Sequence, residues 1–571
     1  MDKKQAAAAL GEIGTLLELV GENPFKVRAY YAAARALETL AGDFDALVAT
    51  GEIRKVRGIG EAIAGKIAEL HATGDLAYLR ELRARVAPGL VEMLRVPGLG
   101  PKRVRQIHAE LGTESLGELE YACRENRLKL LPGFGEKLQA RVLKGIEDLK
   151  RYQDRHLWIE GQQAAQRIAT FLGGLRGVST PVAAGSLRRR RETVGDIDVL
   201  AAVAPRDRAA IVRALTGRRL AAEVIAAGDT KVTFRTPGGI PCDVRMVTRA
   251  EFPFALNYFT GSKDHNTALR ARAQRRGLTL NEYALRRGDD PVACATEDEI
   301  YAALGLQYIP PELREGAGEI EAAAAGAIPA LVEQTDLRGI LHVHTTWSDG
   351  VHTLREMAET AKEMGFQYIG ITDHSQTASY AGGLTPERVR QQIREARAVE
   401  DRLGVRILAG IESDILPDGS LDYDRKTLEL FDFVIGSVHA RFTMDRAAMT
   451  RRIVTAMEDP ALSIVGHLTG RLLLAREPYE VDQEAVLRAA ARLGVVMELN
   501  ANPNRLDLDW TVLREAKRLG VLVSIDPDAH EAGGMADVYI GVGIARKGWL
   551  EAKDVLNTRG PGEALAALQR G

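Results

Sequence analysis

At 571 residues, 46% of them hydrophobic and 27% charged, the chain has the composition of an ordinary globular protein and is too long for one core, so roughly three to five domains are expected. Its net charge of −2 hides an asymmetry: residues 151–290 hold 24 basic and 14 acidic groups and residues 336–571 hold 28 and 35, a basic body suited to a polyanion followed by a carboxylate-rich part. Three scattered cysteines, Cys123, Cys242 and Cys294, exclude a disulfide framework or a thiolate zinc site, and with no apolar signal core and no membrane-length apolar run a cytoplasmic protein is expected.

Residues 1–150 show apolar residues at helical spacing, with Gly or Pro at the joints, which predicts short helices. One pattern occurs there three times: VRGIGEAIAGKI from Val56, VPGLGPKRVRQI from Val96 and LPGFGEKLQARV from Leu131. The glycine pairs Gly58/Gly60, Gly98/Gly100 and Gly133/Gly135 permit a tight turn that aims backbone N–H groups outward at a helix N-terminus, which binds a phosphate without reading a base. One copy would serve equally to join two packed helices. Three copies resemble the helix-hairpin-helix element of DNA repair proteins, which implies binding of the phosphodiester backbone.

From about residue 155 the pattern turns to mixed α/β, with a helix at QQAAQRIATFLGGL, a strand at VSTPVAAG, then GSLRRRRETVGDIDVL and a further strand at IPCDVRMV. In GDIDVL, Asp196 and Asp198 stand one residue apart in a strand-like run, which sends both carboxylates to one face. Like charges so placed raise each other's pKa, and a cation between them relieves the repulsion. The stretch PPELREGAGEIEAAAAGAIPALVEQ is rich in Ala, Gly and Glu and reads as a hinge.

From residue 338 short β-runs (GILHVHT, YIGITDH, VRILAGIE, FVIGSVH, SIVGHL, GVVMELN, LVSIDPDAH) alternate with helical segments, the pattern of βα units in a parallel sheet or barrel. Seven of the 11 histidines lie in this part. HVHTTWSDG supplies His342, His344 and Asp349; TDHS supplies His374; GIESD supplies Glu412; SVHA supplies His439; GHLTGR supplies His467; and DPDAH supplies Asp528 and His530. His-x-His sends two imidazoles to one strand face, and nitrogen and oxygen donors gathered at C-terminal strand ends, where βα-barrel sites lie, predict a shared metal cluster. His352 falls outside the pattern.

The ordered motifs of residues 1–316 resemble those of bacterial family X DNA polymerases: the Gly-Ser turn and arginine run, Asp-x-Asp, CDVR with Asp243, FALNYFTGSKDHN close to the family's YFTGS signature, and LTLNEYALR. The resemblance implies a nucleotidyltransferase palm in which Asp196, Asp198 and Asp243 bind two Mg²⁺ or Mn²⁺ ions, one lowering the pKa of the primer 3′-OH and one holding the triphosphate. It implies that Gly185, Ser186 and Arg189 hold the incoming phosphates, that Tyr258, Phe259 and Gly261 pack against the sugar, and that Asn266 and Arg270 face the minor-groove side of the nascent pair. Lys263 stands where the animal enzymes carry an acid and is expected to reach the nucleotide's phosphate. Arg188, Arg190 and Arg191 are expected to contact the template or to be solvated. Lys66 matches the family's Schiff-base lysine of a deoxyribose-phosphate lyase, and Lys26 and Tyr30 match neighbours that hold a 5′-phosphate. Phe25 replaces a histidine there and Ala62 a second lysine, which leaves two readings, lyase or plain 5′-phosphate anchor.

The nine C-terminal donors resemble the polymerase and histidinol phosphatase (PHP) domain, a distorted seven-stranded βα barrel. That implies a cluster of up to three Mn²⁺, Zn²⁺ or Fe²⁺ ions that hydrolyses phosphoesters. The expected architecture is multidomain α/β: a helical lyase-like DNA-binding domain over 1–90, fingers with helix-hairpin-helix motifs over 91–150, palm over 151–247, thumb over 248–316, linker over 317–337 and PHP domain over 338–571. The expected function is a nucleoid-associated, monomeric DNA polymerase that fills short repair gaps in gapped or primer–template DNA from deoxynucleoside triphosphates, with a 3′-5′ exonuclease in the PHP domain. Two readings from other classes stand beside it: a PHP phosphatase for a small metabolite with a non-catalytic DNA-binding N-terminal region, and a non-catalytic DNA-binding scaffold.

Overall fold

The structure, a computed structural model, describes residues 3–38, 40, 44–150, 155–217 and 220–569; the expected start of the palm at residue 151 lies outside them. Two compact units emerge, Met1–Leu149 and Lys150–Gly571, in place of roughly three to five separate bodies. Among the described residues no helix is long and apolar enough to cross a membrane. Cys123, Cys242 and Cys294 are free and buried.

The first unit is helical, built on a core that includes Leu10, Ile13, Leu17, Ile67, Val104, Ile107, Leu119, Val142 and Ile146. The three glycine repeats adopt one geometry. The first glycine of each pair takes a positive φ (Gly58 +100°, Gly98 +95°, Gly133 +82°), a conformation that a side chain disfavours. The apolar residue between the glycines (Ile59, Leu99, Phe134) is buried, and its N–H donates back to Val56, Val96 or Leu131. Helices Glu61–Thr73, Pro101–Leu111 and Glu136–Lys150 follow.

The second glycines differ from the first in backbone conformation. Gly60 and Gly100 have φ −83° and −108°, extended backbone open to any residue, and Gly135 has no positive φ either. Each instead starts its helix: the carbonyls of Gly60, Gly100 and Gly135 accept from Ala64 at 2.9 Å, Val104 at 3.0 Å and Gln139 at 3.0 Å. All three are exposed, and a Cβ on any of them would meet nothing within 4 Å. The first-turn N–H groups beside Gly60, Gly100 and Gly135 thus begin at exposed, side-chain-free backbone.

The second unit begins with a five-stranded sheet: β1 (Val178–Ala183), β2 (Ile197–Val203), β3 (Glu223–Ala227), β4 (Lys231–Arg235) and β5 (Pro241–Val247), in spatial order β1-β2-β5-β4-β3. Only β2 and β5 pair in parallel. Period-2 alternation puts Val199, Ala201, Val203, Cys242, Val244 and Met246 into the core with Ile168 and Leu172 of helix Trp158–Gly173, and leaves Asp198, Asp243 and Arg245 on partly open positions. Helices Phe252–Thr260, Lys263–Arg275 and Glu297–Ala303 follow with a small core of their own around Leu269, Ile300 and Tyr301. They are tied to the sheet by Arg188, which pairs with Glu297 at 2.6 Å; Arg314, fully buried, pairs with the same carboxylate at 2.6 Å.

Residues 317–337, read as a linker, are built into the body. They carry helix Glu319–Ala324, and Ile320, Ala323, Leu331, Val332 and Leu337 are buried. The Val332 N–H donates to Leu550 O at 2.9 Å. Spaced apolar residues outweigh the Ala/Gly-rich composition that suggested a hinge.

The barrel comprises β6 (Gly339–Val343), β7 (Tyr368–Ile371), β8 (Arg406–Asp414), β9 (Phe433–Ser437), β10 (Ile464–Val465), β11 (Val496–Asn500) and β12 (Val523–Asp526), all parallel and paired in sequence order. Bonds between His342, His344 and Ala529 bring the first strand against the residues that follow the last, so the barrel nearly closes. The expected fold class holds in each part.

Candidate functional site

Two sites arise. In the sheet, Asp198 stands directly opposite Asp243 across the parallel pair β2 and β5, and Asp196 immediately precedes β2. Burial pushes the Asp198 carboxyl up to about 6, the Asp196 charge adds to this, and Arg245 opposes it. The crowding read from GDIDVL is thus present. Asp243 is steadied by Lys231 Nζ at 2.6 Å, by Arg245 at 3.4 Å and by the Thr233 hydroxyl, which donates at 2.6 Å.

The Gly-Ser turn abuts these carboxylates. Gly185 has φ +61°, and a Cβ there would stand 2.5 Å from Asp198 Oδ2, so glycine is required on two counts. Ser186 lies in the same turn, helix Gly185–Arg188. Arg189 is engaged on the thumb side: it donates to Thr260 O at 2.5 Å and to Glu315 at 3.1 Å. Gly261 leaves room for it, since a Cβ there would meet Arg189 Nη1 at 3.0 Å. Phe259 carries Arg245 on its ring at 4.3 Å and meets Tyr258 edge to face at 5.2 Å; Asn266 donates to Tyr258 O at 2.8 Å. The structure therefore joins Asp198, Gly185, Arg245, Phe259, Tyr258 and Asn266 in one patch, and leaves Lys263 and Arg270 exposed on helix Lys263–Arg275.

Two arginines of the run depart from expectation, while Arg191 is exposed. Arg188 binds Thr260 and Glu297, and Arg190 lies over the Trp158 ring at 4.2 Å against Gly543, so neither is free for a template or solvated. Lys547 of the barrel, fully buried, donates to Arg189 O at 3.0 Å and pairs with Glu315 at 2.5 Å. This run joins the parts of the second unit, a role set by contacts far apart in sequence.

In the helical unit, Lys26, Tyr30 and Lys66 gather around Tyr78, a residue with no sequence signal of its own. Lys66 Nζ is 4.9 Å and Lys26 Nζ 5.7 Å from its ring centre, and Tyr30 stacks on it at 6.3 Å. Lys26 also pairs with Glu22 at 3.1 Å.

In the barrel all nine expected donors converge. His342, His344, Asp349, His374, Glu412, His439, His467, Asp528 and His530 fall into four overlapping groups whose donor atoms lie within 4.8 Å of one another. Glu412 is the hub, at 2.9 Å from His374, 3.0 Å from His467, 3.2 Å from His439 and 3.3 Å from His342. Asp528 lies 3.3 Å from His344, and Asp349 lies 3.4 Å from His530. His342 and Asp528 take left-handed backbone, φ +51° and +50°, a strain that the surrounding structure holds in place.

Burial alone would raise the carboxyls of Asp349, Glu412 and Asp528; the facing imidazoles hold them well below the usual carboxylate range. Burial pushes His344 and His467 down to about 3. For His374 burial also pushes down, but Asp349 and Glu412 reverse it and lift the imidazole to about 10. Among the described residues, both ring nitrogens of His344 and Nδ1 of His467 are buried without a hydrogen-bond partner. A sulfur-free set of buried, unsatisfied nitrogen donors around anionic carboxylates fits borderline divalent cations.

Sequence reading missed the groups behind the donors. Glu498 on β11 accepts from His342 Nδ1 and from the His467 N–H. Asp414 holds His439 Nδ1 at 2.6 Å, and Arg505 lies 3.4 Å from Asp528. Such partners fix ring orientation and tautomer. A glutamate inside the apolar run GVVMELN was the available signal. His352 accepts the Ala532 N–H at 3.2 Å and joins none of the donor groups among the described residues.

Family models match at residues 1–76 (helix-hairpin-helix domain), 90–148 (SAM-like helix-hairpin-helix tandem), 255–315 (DNA polymerase beta thumb) and 341–502 (PHP domain). A probable phosphatase of Thermoanaerobacter sp. (strain X514) is 27% identical over 236 residues, 38% of this chain and 89% of its own. Another, of Caldanaerobacter subterraneus subsp. tengcongensis, is 28% identical over 215 residues, 34% of this chain and 77% of its own. The DNA polymerase/3′-5′ exonuclease PolX of Bacillus subtilis (strain 168) is 39% identical over 578 residues, covering 100% of both chains, so the reading as a phosphatase with an adaptor gives way. With that match along its whole length, the chain belongs to the PolX family of DNA polymerase/3′-5′ exonucleases.

Proposed function

We propose that this chain fills short repair gaps in DNA at Asp196, Asp198 and Asp243 and trims 3′ ends at the barrel cluster, as a cytoplasmic, nucleoid-associated monomer. One observation carries the reading: a chain with Asp198 opposite Asp243 on parallel strands also holds a complete nine-donor set at the barrel's strand ends. Divalent cations, Mg²⁺ or Mn²⁺ in the palm and Mn²⁺, Zn²⁺ or Fe²⁺ in the barrel, supply the positive charge that activates a hydroxyl or water and steadies the phosphoryl group.

The chain's own residues do the rest. Asp196 and Asp198 would hold both palm cations and Asp243 the primer-side one; Lys231 pairs with Asp243 at 2.6 Å. Gly185, Ser186 and Arg189 receive the triphosphate, with Arg189 placed by Thr260 and Glu315. Tyr258 and Phe259 take the sugar, Asn266 and Arg270 the base-pair edge, and Lys263 the outer phosphate. In the barrel Glu498 and Asp414 orient His342 and His439. The glycine hairpins grip the DNA backbone at the helix starts beside Gly60, Gly100 and Gly135, and Lys26, Tyr30 and Lys66 hold a 5′-phosphate at Tyr78.

The test is direct. With gapped DNA, deoxynucleotides and Mg²⁺ or Mn²⁺ the purified chain fills the gap; without nucleotides, in Mn²⁺, it shortens the 3′ strand. Hydrolysis of small phosphate esters with neither DNA activity would sink the reading.

Binding supplies a separate prediction. Affinity for gapped DNA falls steeply with salt and depends little on sequence, because phosphates provide the contacts. A 5′-phosphate in the gap strengthens binding roughly tenfold, the worth of one charge-assisted contact, and Lys26→Ala erases that gain. Titration of DNA with and without the 5′-phosphate decides this; equal affinities for the unmodified chain refute the anchor.

A further inference from the structure

We propose that Glu192, a residue of the palm, is a positioning residue for hydrolysis at the barrel's donor cluster. The inference rests on the reading of that cluster as the hydrolytic site. Glu192 lies between the arginine run and Asp196, and its carboxylate accepts from Arg471 Nη2 of the barrel at 2.7 Å, with the side chains only 14% (Arg471) and 18% (Glu192) exposed. The same guanidinium reaches a loop of the barrel, donating through Nε to Arg505 O at 3.0 Å and through Nη2 to Leu506 O. Arg471 thus spans two parts of the chain with the planar fork that suits guanidinium to several acceptors at once.

The loop it holds is the one behind the cluster. Arg505, 4% exposed, stands 3.4 Å from Oδ2 of Asp528. The other oxygen of Asp528 faces His344 at 3.3 Å and His342 at 3.6 Å. Asp507 accepts from the backbone N–H and hydroxyl of Thr469, both at 2.8 Å, and Thr469 lies just past His467. The loop does not rest in a relaxed conformation, since Leu506 has φ +44°, which a leucine disfavours. The two carbonyls on either side of that strain, Arg505 O and Leu506 O, are the two that Arg471 binds. Asp507 and Asp509 also place negative charge near this guanidinium; what Glu192 adds is a buried acceptor that fixes its direction, because a buried donor left without its acceptor is costly. The line of contacts therefore runs from the palm carboxylate through Arg471 and the strained loop to Arg505 and Asp528.

The experiment uses the full chain, measuring 3′ degradation (kcat and KM for DNA) and, separately, Mn²⁺ binding by calorimetry. In Glu192→Ala, kcat for 3′ degradation falls roughly 10–100-fold and Mn²⁺ affinity falls by a similar factor, the range for groups that orient metal ligands. KM for DNA and nucleotide incorporation stay within about twofold, and Glu192→Gln recovers most of the loss because its amide oxygen still accepts from Arg471. Should the alanine variant not fold, Arg471→Lys decides alone: it keeps the charge but loses the fork, and the same fall in kcat and Mn²⁺ affinity is expected. The proposal is overturned if degradation and Mn²⁺ affinity stay within twofold of the unmodified chain. It is equally overturned if both activities fall together with Mn²⁺ affinity unchanged, the mark of simple adhesion between the parts. Asp349→Ala run alongside separates the two failures, since unchanged degradation in that variant overturns the reading of the cluster itself.

Discussion

Asp198→Asn abolishes nucleotide incorporation, a loss of at least about a thousandfold or about 4 kcal/mol in the barrier, and leaves DNA affinity within a few-fold. The residue faces Asp243 on the neighbouring strand and follows Asp196 by two positions, so its charge is the one that cations at this site share. The change is isosteric and far from the glycine hairpins in sequence, so the grip on DNA persists. Stability moves the other way. Burial and the Asp196 charge raise the Asp198 carboxyl to about 6. A carboxyl whose folded-state pKa is raised destabilises the fold wherever it is ionised, so above about pH 6 the metal-free asparagine variant is at least as stable as the unmodified chain. Primer extension on gapped DNA together with a thermal melt at pH 7.5 and pH 5 checks both halves. Incorporation near the unmodified rate would remove the palm assignment.

Asp349→Ala has the mirror effect, abolishing 3′ degradation while gap filling continues. Asp349 is buried, 3.4 Å from His530 and 3.6 Å from His374, and these two imidazoles crowd His344, with ring centres 4.1 and 4.5 Å apart. Removing the carboxylate takes away both a ligand and the negative charge that lets the imidazoles share so small a space. We expect a loss of at least about a thousandfold in Mn²⁺-dependent degradation of a 3′-labelled strand. The metal-free variant also melts at a lower temperature, because the protonated state of His374 depends on Asp349. His344→Ala leaves the cluster one imidazole short and gives the same loss. Degradation continuing unchanged in both variants would refute the barrel as the nuclease.

Most of the chemistry was legible in the sequence because it breaks a rule of burial. Asp196 and Asp198 in an apolar strand, His-x-His at a strand end and a glycine pair ahead of a helix are local anomalies with few physical explanations. Within the glycine pairs the sequence could not say which member the turn demands, because backbone angles alone separate Gly58 from Gly60, Gly98 from Gly100 and Gly133 from Gly135. Glu498 breaks the burial rule in GVVMELN, but nothing local says that its partner is His342, 156 positions away. The arginine run shows the limit more sharply. Arg188 and Arg190 read as template contacts or solvated side chains, yet Glu297 and the Trp158 ring take them up, each partner distant in sequence. Composition also misled at residues 317–337, where a few spaced apolar side chains decide burial against many alanines and glycines.

The built-in segment 317–337 and the Arg190, Glu192 and Lys547 contacts belong to a body whose apolar interior is continuous: Ile197, Val244 and Met246 of the palm sheet and Ile340, Met497 and Ile525 of the barrel lie in one cluster of buried side chains. With their buried side chains in one cluster, palm and barrel are expected to melt together, in a single cooperative unfolding step. A core substitution beside either site therefore lowers both activities through the folded population, and selection on the one is selection on the other. Residues 1–149, with a core of their own, stand outside that shared fate.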